Sequence, residues 1–129
     1  MIIQTINIDL YNWKIKIIYE ANEANFSYII KCLQRICDDK NLILQAKSHL
    51  LRDDINSGFI YSSYAKHESI IIIGRTNSKS QLVNTVVHEA SHLQAHIAEY
   101  YKLDRNGEDV CYLIAAIVQN IFDFITENM

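Results

Sequence analysis

Apolar side chains recur along this chain with two different periods, and the switches between them divide it into elements. Ile6, Ile8 and Leu10 alternate with Thr5, Asn7 and Asp9, and Trp13, Ile15 and Ile17 alternate with Lys14 and Lys16. A period of two is that of half-buried strands, so these runs predict a hairpin turning near Asn12. From Asn25 the period lengthens: Phe26, Ile29, Ile30, Leu33, Ile36 and Cys37 fall at helical spacing, predicting a helix to about Asp38. The stretch from Lys40 to Ser57 has no dominant period and admits a second short helix. GFIYSSYA, KHE and SIIIIG read as strand, turn and strand. Ser78 followed by Gln81 has the form of a capping box, and the helix it opens is expected to run to about Lys102, before Asp104, Asn106 and Gly107 break it. A last, very apolar helix is expected over roughly Glu108 to Thr126. With no internal repeat and no linker, the pattern predicts one α+β domain over residues 1–129, a small antiparallel or mixed sheet packed on helices.

Composition narrows the class. A chain of 129 residues and 15.0 kDa is long enough to bury a core without disulfides or a metal. Any metal would therefore serve function before stability. A net charge of -3 and a pI near 5.9 leave no basic stripe for phosphates, and apolar runs such as Ile70 to Ile73 are too short to cross a bilayer. Neither nucleic acid nor a membrane is expected as a partner. MIIQTINIDLYNW has no basic leader region and no small-residue cleavage site, so a cytoplasmic location is expected. Cys32, Cys37 and Cys111 are an odd number without CxxC spacing, in apolar surroundings that suit reduced core thiols.

The chemistry concentrates in TVVHEASHL, residues 85–93. At about 100° per residue, with His88 at zero, His92 falls at about 40° and Glu89 at about 100°. Leu82, Val83, Val86, Ala90, Leu93, Ile97 and Tyr100 cluster between about 120° and 220° and should face the core. Histidines at i and i+4 project side by side, so two imidazole nitrogens can meet one Zn²⁺ at about 2.0 to 2.1 Å without bending the helix. Glu89, a quarter turn round, cannot easily share that metal but can reach a water beside it, where a general base is needed. A solvated polar face is the plain alternative, and with five His in the chain an HExxH arises by chance in roughly one such sequence per hundred. The uncharged Val86, Val87, Ala90, Ser91 and Leu93 around it, inside a long capped helix, favour the metal site.

A catalytic zinc usually takes three protein ligands and leaves the fourth position open. In HExxHxxGxxH the glycine position is Ala95 here and the third histidine position Ala98, and no internal Met exists for a Met-turn, which excludes that pattern. His96 lies about 6 Å along the axis from His92 and about 12 Å from His88, too far to close the same sphere, and reads as a surface histidine. His67 and His49 fall in a turn and in the ambiguous segment, where histidines are usually solvated. Glu108 fits better if the chain reverses at DRNG and returns an antiparallel helix beside the motif. On that helix it shares a face with Cys111, Tyr112, Ala115 and Gln119. The alternative is that Glu108 and Asp109 simply complement the positive end of the helix dipole.

SIIIIGR, VVHEASHL and GEDVCYLIAAIVQNIF together resemble the small HExxH, zincin- or gluzincin-like metallopeptidases of phages, prophages and related mobile elements, over residues 58–126. The resemblance implies a minimal zincin-like domain, with Zn²⁺ on His88, His92 and Glu108, Glu89 as the general base, and a peptide or protein as substrate. In larger gluzincins an Asp stands four residues after the ligand Glu; here that position is Tyr112. The substrate backbone is expected to pair with an exposed strand, SIIIIG being the candidate, and Tyr112, Tyr61, Tyr64 and His67 are the candidates to polarise the carbonyl. The other reading is a zincin-fold protein that acts as a structural or regulatory binding module.

Overall fold

The computed structural model describes residues 2–52 and 56–129. Strands β1 (Ile2–Ile8) and β2 (Trp13–Ala21) form the expected hairpin, closed at Asn12 in the left-handed region at φ 50°. Asparagine tolerates this conformation better than most residues. Helices α1 (Phe26–Ile36) and α2 (Lys40–Leu51) follow, then strands β3 (Gly58–Ser63) and β4 (Glu68–Gly74), and finally helices α3 (Lys79–Tyr101) and α4 (Glu108–Asn128).

The four strands run in the order β1-β2-β4-β3, with β2 and β4 parallel and the outer pairs antiparallel. A mixed α+β fold results. Strand β4 is therefore interior, with β3 at the edge beside it and β1 at the other, contrary to the expectation that SIIIIG would be free to pair. The reason is legible in the side chains: Ile70 to Ile73 are all buried, as a strand covered on both faces requires.

Alternation along the strands sorts two layers of helices. Trp13, Ile15, Ile17, Ile71 and Ile73 join Val86, Leu93 and Ile97 of α3 and Leu113, Ile117 and Ile121 of α4 on one face. Ile18, Ile70 and Ile72 meet Ile29, Leu33 and Ile36 of α1 and Ile43, Ala46 and Leu50 of α2 on the other. A buried polar clasp fixes α4 over the β1 side: Tyr19 Oη donates to Gln4 Oε1 at 2.6 Å, and Gln4 Nε2 donates to the Asn120 carbonyl at 2.9 Å. By length and composition alone α4 could cross a membrane, and a helix buried along one face in a protein core passes the same test.

The ambiguous segment from Lys40 to Ser57 is largely α2, with residues 53–55 outside those described. Its start is set by Asp39, whose carboxylate accepts from the backbone N–H of Asn41 at 2.9 Å and of Leu42 at 3.4 Å. Losing such a cap costs about 0.5–2 kcal/mol. Asp39→Ala is therefore expected to lower stability by about 1 kcal/mol and to speed amide exchange in the first turn of α2 before any other element. A urea titration with residue-resolved exchange checks it; unchanged protection at Asn41 and Leu42 would contradict the capping role.

Candidate functional site

Helix α3 opens as the capping signal predicts, with Ser78 Oγ accepting from the Gln81 N–H at 3.1 Å. It lies alongside β3 and runs in the same direction. Thr85 Oγ1 donates to the Asn56 carbonyl at 3.3 Å, Glu89 packs on Gly58, His96 meets Ser62, and Tyr64 Oη donates to Glu99 at 3.1 Å. This alignment splits the motif between two environments. His88 and His92 are exposed, whereas Glu89 is only 5% exposed, buried with Thr85 against the edge strand rather than lying on a solvated face.

The two imidazoles converge. His88 Nε2 and His92 Nε2 are 3.2 Å apart, with ring centroids at 4.9 Å. Two nitrogens about 2.05 Å from one tetrahedral zinc are about 3.3 Å apart, so the pair already has the spacing of two ligands on a single ion. Without a metal the same contact is a hydrogen bond between the two rings.

Glu89 owes its burial to Gly58. A methyl group at position 58 would sit 2.9 Å from both Cγ and Oε1 of Glu89 and 3.0 Å from Cγ2 of Thr85, closer than such atoms pack. Burial pushes the Glu89 carboxyl above its ordinary range, and the nearby His88 and His92 partly oppose this. A carboxylate of raised basicity beside two converging imidazoles is suited to take a proton from water.

Glu108 is not gathered with the histidines. Helix α3 continues nine residues past His92 to Tyr101, about 13 Å of further helix, so the reversal at Lys102 to Gly107 starts α4 at the far end. Asp109 lies there beside Tyr11, which packs on Tyr101 with ring centroids 5.2 Å apart. Glu108, Cys111, Tyr112, Ala115 and Gln119 are all exposed, Tyr112 at 71%; the buried face of α4 is Val110, Leu113, Ile117 and Ile121. Cys32 and Cys37 are buried free thiols, whereas Cys111 is exposed rather than in the core. Among the described residues no group of three His, Cys, Asp or Glu side chains is arranged to hold a metal.

The other sequence candidates are also placed elsewhere. Tyr61 packs with the α1 and α2 layer, its hydroxyl pushed up to about 12 by burial and by the Cys37 thiol. His67, expected to be solvated, stacks on Trp13 at 5.2 Å, and Tyr64 is engaged with Glu99. His96, read as a surface histidine, is half-buried and bonded to Ser62 at 2.7 Å. Gly58, Thr85 and Ser62 escaped the sequence reading because their roles depend on β3 lying beside α3. The single accessible signal was a glycine opening a strand, which often marks close backbone approach.

Comparison with family models, with curated proteins and with solved structures finds no match.

Two outcomes follow. Gly58→Ala should cost about 1–3 kcal/mol by overpacking, and much less in a Glu89→Ala background, as a urea-denaturation double-mutant cycle would measure; additive effects would mean the two residues do not meet. A carboxyl with a raised folded-state value keeps its proton at pH values where the unfolded chain has lost it. Its contribution is thus fully present below the unfolded value and is lost as pH rises through the folded one. The metal-free Glu89→Gln variant should accordingly be more stable than wild type at neutral pH, the difference shrinking on acidification; a pH-independent difference would contradict the burial argument.

Proposed function

We propose that this chain is a zinc-dependent metallopeptidase of zincin-like type, in which His88 and His92 hold the metal and Glu89 is the general base. The observation that carries the reading is the pair of Nε2 atoms 3.2 Å apart with the buried Glu89 carboxyl one residue from His88. The pair fits two positions of a zinc coordination sphere, and the described residues supply no third donor at it. Fewer protein ligands mean weaker retention of the ion and more positions left open.

Bound zinc would supply Lewis acidity, lowering the pKa of a water and polarising a carbonyl. The remaining steps belong to the chain. Glu89 accepts the proton of the attacking water and returns it to the leaving amine, and its burial makes it a stronger base than a solvated glutamate. Gly58 gives that carboxyl its room. The edge strand β3 offers backbone donors and acceptors to an extended substrate, which hydrogen-bonds as an added strand beside the motif.

The absence of a third donor among the described residues favours one second reading, a zincin-fold protein that binds a partner without cleaving it. Assays on an unfolded protein and on a peptide library separate the two. Wild type with added zinc should cleave, and Glu89→Gln, folded and still binding zinc, should lose a factor of about 10² to 10⁴ in rate, the usual contribution of a general base. No cleavage by wild type across the library favours the binding protein. Equal rates in both would remove Glu89 from the mechanism.

A further inference from the structure

A chain of hydrogen-bonded polar side chains leads from the buried centre of the sheet to the half-buried His96 of α3. Trp13 Nε1 donates to Ser69 Oγ at 2.9 Å; Ser69 Oγ and Ser62 Oγ are 2.6 Å apart; Ser62 Oγ is 2.7 Å from His96 Nδ1. Ser69 has no solvent exposure at all. An indole N–H only donates and each hydroxyl has a single proton. Among these groups, one direction gives every hydroxyl proton an acceptor: Ser69 donates to Ser62, and Ser62 donates to Nδ1 of His96. The His96 proton therefore stands on Nε2. That nitrogen has no protein partner among the described hydrogen bonds and is not among the buried unpartnered atoms, so it opens to solvent. Burial, with His92 nearby, pushes the His96 imidazole below its ordinary value, towards the neutral form.

We propose that His96 is a substrate-binding residue, a tautomer-locked Nε2–H donor to a backbone carbonyl of an extended peptide lying along the β3 edge. The inference rests on the peptidase reading for its ligand. Two landmarks set the distance: Glu89 packs on Gly58 and His96 on Ser62, separated by about 10 Å along α3 and about 13 Å along β3. An extended chain rises about 3.3 Å per residue, so His96 meets it about three to four residues from the bond that Glu89 faces. The same lock explains why His96 contributes no nitrogen to the histidine pair. Its Nδ1 is occupied by Ser62, and its Nε2 carries the proton that a ligand would have to lose.

The test uses the chelator-treated chain with ¹⁵N-labelled histidine, so it does not depend on zinc or turnover. Nitrogen chemical shifts at neutral pH should show His96 as the Nε2–H tautomer, and Ser62→Ala should release it to a mixture. Adding a random mixture of ten-residue peptides should shift the His96 signals and leave those of His49 in place. His96→Phe should weaken peptide binding roughly three- to ten-fold, the value of one neutral hydrogen bond, and His96→Gln, which keeps an N–H donor, should restore part of it. An Nδ1–H tautomer in wild type, no peptide binding, or peptide binding without a His96 shift each overturns the proposal. Failure of cleavage with these signatures intact would instead remove the peptidase reading and leave the donor.

Discussion

Everything at this site depends on one close approach, a carboxylate taken out of water against the backbone of an edge strand. Helix α3 can bring Glu89 that near only because residue 58 has no side chain, and Thr85 fills the space beside it. Seating the helix there turns the HExxH positions apart. The glutamate goes under the strand, the two histidines stay on the rim, and His96 one turn further on reaches Ser62. The burial of Glu89 and the His96–Ser62 contact thus follow from a single packing arrangement, while the spacing of the histidine pair comes from the helix itself.

The sheet makes that contact rigid. Strand β4, covered on both faces, cannot shift without breaking either helical layer, and it holds β3 in antiparallel register from Gly58 opposite Ile73 to Ser63 opposite Glu68. The Trp13 ring, 1% exposed, reaches across from β2 to bond Ser69 of β4, tying the hairpin at one side of the sheet to the serine network at the other. A functional group supported in this way by packing and by a second set of hydrogen bonds keeps its geometry.

Much of this was legible in the sequence where the signal was local. The alternation of Ile6 to Ile17 gave the hairpin, Ser78 the start of α3, and the i, i+4 spacing the convergence of His88 and His92. What failed depended on long-range placement. Glu108 was expected beside the histidines because DRNG ends the helix, but the nine residues between His92 and Tyr101 carry the reversal to the far end of the sheet. SIIIIG was expected at an edge, yet a run of four buried isoleucines is the pattern of an interior strand, and that was the available clue. Trp13 and His96 are far in sequence from the Ser62–Ser69 pair they join, and nothing local links them to it.

The most direct test of the account is a zinc titration of the chelator-treated chain by calorimetry, with X-ray absorption on the loaded protein. One zinc per chain is predicted, with nitrogen ligands at about 2.0–2.1 Å, binding abolished in His88→Ala and in His92→Ala, and unchanged in Glu108→Ala. No zinc uptake by wild type, or uptake that survives loss of either histidine, would contradict the central claim that these two side chains form the metal site.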